Sequence, residues 1–512
     1  MIKSKKINNI NIYSDRQSSD DCGDDCGDDC GNDCGDEYSD NYRTAAFDVY
    51  LNLLNSFESK ELFLLESLGP KSVDSKKSMI GILPILKIEV TDCVITITGN
   101  TALLGRCKTL FVEQKLIETT ISFLRYQLLE RSEVWEYLRF LDAHFKTSDS
   151  GVLAFATFGY NTIHFIENIA SYVQGDMPDI TLTCYSTYIE FGEGQVTLHQ
   201  YEFIGAEAIN ISQITPHFTI TTRPYEFAPS HSFVVKRETS KNEYIQKART
   251  ALNHVAKGNV YQIQVGQKIL VESDISPLEV YARLRLMNPS PYMYLFNCGG
   301  NELIGASPES YVCIEGDEIT MRPIAGTLAK SKIATKDEAI KEFRSNPKEK
   351  AEHMMLVDLC RNDLCRVASP ESLEVSGLML IEEYSHVYHM VTTVKACISK
   401  GLDKYDVIKA SFPAGTMTGT PKIRAIELIS ELEDSARGVY AGALGIIGLG
   451  TNFVNTALCI RTAVERNGTY SLRASAGIVS DSKVEDEYAE TLHKMGSIFK
   501  AITNEEISCH VM

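Results

Sequence analysis

Two glutamates and a lysine lie at helical spacing near the carboxyl end of the chain. Apolar side chains recur over residues 483–501, and Ser482 opens a Ser-Lys-Val-Glu capping-box pattern, so we predict a helix there. On that helix Glu487, Glu490 and Lys494 share one face. Two carboxylates three residues apart repel each other, and one lysine a turn further is too localised to neutralise both. The pattern favours a divalent cation.

A second pair of glutamates has the same spacing. Asn346 followed by Pro347 is a helix start signal, and Glu349 and Glu352 follow on the first turns of that helix. Two such pairs facing each other would form an oxygen cage suited to Mg²⁺. Solvated positions on two surface helices are the alternative interpretation.

A glycine-rich loop at 412–422 precedes another helix. Its small residues, hydroxyls and backbone amides suit an anionic group at a helix N-terminus, although an ordinary helix-entry loop fits the same residues. No Gly-Lys-Ser/Thr ends the loop, so it is not a P-loop.

Charge and hydropathy exclude several classes of protein. The 512-residue chain has a formal charge of −18, of which residues 15–40 contribute −10 (eleven acidic side chains and one arginine), leaving −8. A mildly acidic folded part has no basic stripe for phosphates, so we expect no nucleic-acid partner. Neither a membrane span of about 20 apolar residues nor the apolar core of a secretion signal is present, so we expect no membrane association.

Four of the fourteen cysteines belong to a tandem Asp-Asp-Cys-Gly repeat near the N-terminus. We predict that residues 1–44 form a disordered acidic low-complexity tail; a metal-binding tag is the alternative. The other cysteines lack paired spacing, which favours reduced thiols and a cytoplasmic protein.

The rest of the chain divides into an N-terminal region over 45–205, a linker over 206–237 and a C-terminal region over 238–512. The first region reads as strands alternating with helices, including one or two helices over 114–145. Helices and antiparallel-looking strands mix throughout, so we predict an α+β fold rather than a doubly wound one.

The order of motifs resembles the chorismate-utilising enzymes, and within them the large, aminase subunit of anthranilate synthase. The motifs that carry the resemblance span about 243–502 and are Gly305-Ala-Ser-Pro-Glu309, Arg322-Pro-Ile-Ala-Gly-Thr327, Ala351-Glu-His353, Leu356-Val-Asp358, Arg361-Asn-Asp363, Ser385-His-Val-Tyr-His389, the 412–422 loop, Arg437-Gly-Val-Tyr440, Ile460-Arg-Thr462 and 474–494.

The resemblance implies layered antiparallel β-sheets flanked by helices, chorismate as substrate and Mg²⁺ as cofactor. The metal ligands it implies are Glu349, Glu352, Glu487 and Glu490. Arg461 suits the enolpyruvyl carboxylate because a guanidinium can bind both oxygens, and Tyr440 can add a hydroxyl donor. The other positions matching the substrate contacts are Gly326, Thr327, Thr416, Ser475, Ala476, Gly477 and Lys494.

Three residues match the family's reaction centre. Glu309 matches the general acid that protonates the departing C4 hydroxyl, and an anionic substrate nearby would raise its pKa. His389 matches the histidine near the ring. Gln262 stands where water-adding relatives carry a lysine base; a neutral amide cannot deprotonate water, so the resemblance implies ammonia as nucleophile. Ala325 replaces the lysine of aminodeoxychorismate synthases, so ammonia would attack C2 directly and pyruvate loss would give anthranilate.

The resemblance also implies regulation and a partner. Glu66, Ser67, Pro291, Tyr292 and Met293 match the tryptophan feedback site, although they suit packing equally well. No glutaminase region follows the matched part, so a separate glutamine amidotransferase subunit would supply ammonia within a hetero-oligomer.

One departure lies at the centre of the site: Ser475 replaces a usual glycine, and its side chain could crowd the substrate. Two alternatives therefore stay open. One is an aminodeoxychorismate synthase, which would aminate C4, and the other is a non-catalytic, tryptophan-sensing relative.

Overall fold

The structure, a computed structural model, places most of the chain in antiparallel β-structure. The residues that it describes are 2–7, 13–14, 45–69, 77–110, 116–146, 151–170, 172–192, 195–203, 209–220, 225–228, 231–333, 335–384 and 387–507. Within these residues, 23 strands join one hydrogen-bonded sheet and a short pair forms a second.

The helices cover the faces and ends of the sheet. Their bounds are α1 (45–53), α2 (Thr101–Leu110), α3 (Val134–His144), α4 (Ile211–Ile214), α5 (Lys241–Ala256), α6 (Pro277–Met287), α7 (Lys336–Ser345), α8 (Pro347–Cys365), α9 (Lys404–Ser411), α10 (Lys422–Leu432) and α11 (Val484–Thr503).

The strands of the first half of the chain are β1 (Ile2–Ile7), β2 (Tyr13–Ser14), β3 (Leu62–Glu66), β4 (Ser78–Thr91), β5 (Val94–Gly99), β6 (Leu116–Thr119), β7 (Phe123–Gln127), β8 (Val152–Phe158), β9 (Ile180–Gly192), β10 (Gln195–Phe203), β11 (Thr219–Ile220) and β12 (Phe233–Arg237). Those of the second half are β13 (Gln262–Ser273), β14 (Tyr292–Cys298), β15 (Asn301–Ser307), β16 (Ser310–Glu315), β17 (Glu318–Met321), β18 (Ile324–Ala329), β19 (Glu374–Glu383), β20 (Val387–Cys397), β21 (Gly419–Thr420), β22 (Ala443–Leu449), β23 (Phe453–Leu458), β24 (Thr462–Arg466) and β25 (Thr469–Ile478).

Strands from both sides of the predicted linker pair with each other. β3 pairs antiparallel with β14, and β8 pairs antiparallel with β22. The N-terminal and C-terminal regions therefore share one sheet, and β12, at the end of the predicted linker, pairs with β13. This mixture of antiparallel strands and helices confirms the predicted α+β class.

Five of the described helices start at a capping side chain. The Ser240 hydroxyl accepts a hydrogen bond from the Glu243 amide at the start of α5, and the Asn346 side chain accepts from two amides at the start of α8. The predicted capping box at α11 is wrong. The N-cap residue is Lys483, one position later than predicted; the Ser482 hydroxyl accepts a hydrogen bond from the Val479 amide at 3.0 Å and donates to Glu487 Oε1 at 2.7 Å.

Two predictions for the first part of the chain need correction. Residues 114–145 were expected to be helical, but they include β6 and β7 before α3, since their short apolar segments suit half-buried strands as well as helices. The tail over 1–44 was expected to be disordered, but β1 pairs with β10 and β2 with β11. The Asp-Asp-Cys-Gly repeat lies outside the described residues.

Large apolar side chains fill the interior in separate buried clusters. Trp135, Phe155 and Tyr188 belong to one buried cluster, and Tyr281 and Phe499 belong to another. The described cysteines are free thiols. Among the described helices, none is long and apolar enough to cross a membrane.

Candidate active site

A long antiparallel strand pair forms the floor of the candidate site. β13 pairs with β25 in a register that sets Gln264 opposite Gly477 and Gly266 opposite Ser475. α11 follows β25 and packs against it, so the predicted substrate-binding and metal-binding residues of the 474–494 stretch come to one end of this pair. The register, which depends on residues about 200 positions apart, therefore positions the site.

A cavity of about 210 Å³ opens at this end. Of the residues predicted from the sequence, it is lined by Gln262, Glu309, Gly326, Glu352, His389, Thr416, Tyr440, Arg461, Ser475, Glu490 and Lys494. Its wall also includes Gln264 and Arg473, which the sequence analysis did not single out.

The remaining predicted residues lie around the cavity rather than in its wall. Ala476 is fully buried, as expected for a strand residue that points away from its neighbours' face. At Gly477, an added Cβ would lie 2.7 Å from Gln262 Nε2 and 3.0 Å from Gln264 Nε2, so the two amides leave no room for a side chain. Thr327 belongs to β18, and its side chain lies outside the described residues.

Glu309 is a partly buried residue at the cavity wall. It lies in the turn between β15 and β16, where its carbonyl oxygen accepts a hydrogen bond from the Leu458 amide at 3.0 Å. Burial raises the pKa of Glu309 to about 8, and the charge of Lys494 opposes this only in part. Glu309 is therefore protonated at neutral pH, the state that a proton donor requires.

His389 lines the same cavity as Glu309, and its imidazole is neutral. Burial lowers the pKa of His389 to about 4, with a smaller contribution from the charge of Arg461. Its Nδ1 lies 3.1 Å from the Gly326 carbonyl, so Nδ1 carries the proton and donates it to that oxygen. Gly326 has a φ of +71° at a bulge between β18 and β20, a conformation that favours glycine. The bulge thus fixes the histidine ring.

Arg461 supplies a positive charge without a protein counter-ion. Arg461 lies in the segment after β23 and has a φ of +53°, a backbone conformation that few residues other than glycine adopt. In the described part of the chain, no carboxylate lies within salt-bridge distance of its guanidinium. A partly buried guanidinium without an acidic partner among the described residues, at a cavity wall, is suited to a carboxylate of a ligand.

The four predicted metal ligands come close to one another. Burial is the main cause that raises the pKa values of Glu349, Glu352 and Glu487, and the negative charge of Glu490 raises all three further. Glu352 of α8 and Glu490 of α11 line the same cavity, and Glu349 Oε2 lies against Gly326 in its wall, so hard oxygen donors of the kind that Mg²⁺ prefers meet there.

The present side-chain conformations do not close a metal cage. Glu490 pairs with Lys494 at 2.6 Å, and Glu487 accepts from Ser482 at 2.7 Å. Among the described residues, no three acidic, thiol or imidazole side chains converge on one point as a metal cluster. Binding of a cation would require both α11 carboxylates to turn from these partners.

A buried ion network that sequence reasoning missed joins the 412–422 loop to β13. Arg437 donates to the Met417 carbonyl at 2.8 Å and to the Gln264 carbonyl at 3.3 Å, and it pairs with Glu433 at 2.7 Å. Glu433 also pairs with Arg473 at 2.8 Å. Glu433 lies just after the end of α10 and Arg437 lies outside that helix, so helical spacing gave no signal for this pair.

The five residues of the predicted tryptophan site are brought together away from the cavity. Met293 of β14 lies opposite Glu66 of β3, next to Ser67, Pro291 and Tyr292. Glu66 is buried and accepts hydrogen bonds from Tyr281 and Arg285, both at 2.8 Å. Its carboxylate is therefore already paired within the protein.

The cavity brings Glu309, Arg461 and Lys494 into one wall, the geometry against which the comparisons with known proteins are set. A family model for chorismate-binding enzymes matches residues 104–500. The chain therefore belongs to the chorismate-binding enzyme family, whose substrate is chorismate.

Relatives within this family differ in how much of the chain they match. The chain is 38% identical over 486 residues to the 2-amino-4-deoxychorismate synthase of Streptomyces globisporus, covering 91% of this chain and 95% of that protein. It is 43% identical over 264 residues to anthranilate synthase component 1 of Aquifex aeolicus, covering 51% of this chain and 53% of that protein. The chain thus aligns with about half the length of the anthranilate synthase relative.

Solved structures share the fold. Anthranilate synthase component I from Streptococcus pneumoniae matches with a TM-score of 0.67 and 28% identity, covering 84% of this chain and 93% of that chain. The menaquinone-specific isochorismate synthase MenF from Escherichia coli matches with a TM-score of 0.64 at 15% identity, covering 98% and 95% respectively, which is a likeness of fold alone.

Proposed function

We propose that this protein aminates chorismate at C2 and releases 2-amino-4-deoxychorismate with the enolpyruvyl group still attached. The observation that carries the proposal is the 38% identity that extends over 91% of the chain to a 2-amino-4-deoxychorismate synthase. The product in that relative's name has an amine on C2 and no hydroxyl on C4. The sequence alternative of an aminodeoxychorismate synthase is thus better supported than anthranilate synthase, with the amine at C2 rather than at C4.

The residues of the cavity support each part of the chemistry. Arg461 binds a carboxylate of chorismate, and Glu309 donates its proton to the C4 hydroxyl, which leaves as water. Ammonia forms a bond to C2 while the two ring double bonds shift to C1–C6 and C4–C5. Chorismate and ammonia thus give the aminated product and water, and atoms and charges balance.

Gln262 supports ammonia rather than water as the nucleophile. It is 3% exposed in the cavity wall, and its Oε1 has no hydrogen-bond partner among the described residues. An orphan amide oxygen accepts an N–H but cannot remove a proton from water, whereas ammonia attacks through its own lone pair. We infer that Gln262 Oε1 receives an N–H of the incoming nucleophile.

Mg²⁺ is part of the proposal. Glu349, Glu352, Glu487 and Glu490 would hold it after rotation of the two α11 side chains, and the bound ion would neutralise and orient the ring carboxylate. Isothermal titration of the purified protein with Mg²⁺ tests this directly: Glu349→Gln should weaken binding, and the exposed Glu374→Gln on β19 should not. Equal Mg²⁺ affinities in the two variants would contradict the proposed metal site.

A glutaminase partner and tryptophan regulation are further parts of the proposal. Ammonia from glutamine would need a separate glutamine amidotransferase subunit, and Ser67 at the end of β3 would take part in tryptophan feedback. Identical tryptophan inhibition curves for the native protein and Ser67→Ala would argue against the regulatory site.

Anthranilate synthase is the second candidate. Its support is the 40–43% identity over 264–275 residues to two anthranilate synthase component 1 relatives. Incubation of the purified protein with chorismate, ammonium salt and Mg²⁺ separates the two. We expect an aminated product that still contains the enolpyruvyl group, with its amine placed on C2 by NMR. Fluorescent anthranilate with an equal amount of pyruvate would favour the second candidate.

A further inference from the structure

The Ser475 hydroxyl joins two polar groups at the cavity wall. Ser475 is 1% exposed, and its Oγ donates to Gln264 Oε1 at 2.8 Å. The same Oγ lies 2.8 Å from the Tyr440 hydroxyl. The three side chains form one buried chain of hydrogen bonds that lines the cavity.

Counting protons fixes the direction of this chain. Gln264 directs its Nε2 toward Gly477, 3.0 Å from where a Cβ would sit, so its oxygen faces Ser475 and can only accept. A serine hydroxyl has one proton, and Ser475 gives it to Gln264. The contact between Ser475 and Tyr440 must therefore use the single proton of Tyr440. The tyrosine hydroxyl donates to the serine instead of to a ligand in the cavity.

Tyr440 is placed where a donor would affect the second half of the reaction. It lines the same cavity as Arg461, whose unpaired guanidinium suits a carboxylate of the substrate. Loss of pyruvate from the aminated product breaks the C2–H bond to a base, forms the C2–C3 double bond and breaks the C3–O bond. The departing electron pair goes to the enolpyruvyl oxygen, which needs a hydrogen-bond donor as its charge develops.

We propose that Ser475 is a specificity-determining residue that retains the enolpyruvyl group by holding the Tyr440 proton away from the departing oxygen. The inference deepens the proposed function and rests on it. Without the serine hydroxyl, Tyr440 would donate to the enolpyruvyl oxygen, and elimination of pyruvate would follow amination.

The test is the ratio of pyruvate released to chorismate consumed, which does not depend on how much of the protein is active. Ser475→Ala removes the hydroxyl and should raise this ratio about tenfold, the effect of one hydrogen bond to a developing charge. Ser471→Ala, on the same strand but outside the cavity wall, should leave the ratio at its native value.

The Tyr440→Phe substitution shows whether a raised ratio in Ser475→Ala comes from the released Tyr440 proton or from a change in the shape of the cavity. In the Ser475→Ala background it should return the ratio to the native value, because the released donor is then absent. A ratio that stays raised in the double variant would overturn the inference, as would a native ratio in Ser475→Ala. If the native protein itself releases one pyruvate per chorismate, the proposed function fails before this comparison is made.

Discussion

Glu309 has the environment that a proton donor needs at neutral pH. Burial raises its pKa to about 8, and it lines the cavity together with Arg461 and Lys494. At the scale of single residues, the proposed chemistry thus depends on one protonated carboxyl group and on the direction of one tyrosine proton.

Glu309→Gln should abolish amination while chorismate still binds. The amide keeps the shape of the side chain but cannot protonate the leaving hydroxyl, so we expect a fall of about 100-fold or more in kcat. Initial rates and equilibrium chorismate binding measure the two effects separately. Retained turnover in this variant would show that another group is the acid.

The same carboxyl group should make stability depend on pH. Its folded pKa of about 8 exceeds the unfolded value of 4.5, so the folded state holds a proton that the unfolded state loses between these values. This contribution to stability is complete below the unfolded pKa and is lost as the pH rises through about 8. The Glu309→Gln variant has no such contribution to lose as the pH rises. The Tm of this variant minus the Tm of the native protein should therefore increase between about pH 5 and about pH 9. A Tm difference independent of pH would contradict the buried, protonated state.

At the scale of elements, the register of β13 and β25 places the two glutamines against a glycine. Gln262 and Gln264 direct their amide nitrogens toward Gly477 of β25. Ser475, also on β25, accepts a hydrogen bond from the Tyr440 hydroxyl. The β18–β20 bulge at Gly326 fixes His389 in a similar way.

Gly477→Ala should displace both glutamine amides, since a Cβ would lie 2.7 Å from one and 3.0 Å from the other. We expect kcat/KM to fall about 100-fold, the effect of misplacing reacting groups by about 1 Å. Gly496→Ala in α11 is the matched control, because no atom lies within 4 Å of the added Cβ, and it should stabilise the helix by about 1 kcal/mol. Comparable activity in the two variants would show that the amides are not part of the site.

The local part of this arrangement could be predicted from the sequence, but the long-range part could not. Helical spacing placed Glu349 with Glu352 and Glu487 with Glu490, because the i, i+3 relation is local. It could not show that Ser482 binds Glu487 or that Gln264 binds Ser475, because the first depends on a side-chain rotation and the second on a strand register. The helix expected over 114–145 was partly wrong for a related reason, since short apolar segments do not distinguish strands from helices.

At the scale of the molecule, the N-terminal and C-terminal regions are joined by buried charges as well as by the sheet. Lys404 at the start of α9 donates to Asp142 of α3 at 2.6 Å, and its side chain is 2% exposed. Arg139 of α3 pairs with Asp403 and Asp406, each at 2.7 Å.

Asp142→Ala should leave the Lys404 charge buried without its carboxylate. We expect a loss of about 3 kcal/mol in the free energy of unfolding, the usual effect of breaking a buried pair. Glu318→Ala is the control, because the Lys395–Glu318 pair is exposed and its loss should cost less than about 1 kcal/mol. Thermal unfolding of both variants tests the difference, and equal Tm values would show that the buried pair does not hold the regions together.

The central claim is that the reaction stops with the enolpyruvyl group in place, and proton NMR of the running reaction follows that group directly. We predict that the signal of the C4 carbinol proton disappears while the enolpyruvyl methylene signals persist in a new compound. A pyruvate methyl signal that grows as fast as chorismate disappears would contradict the account.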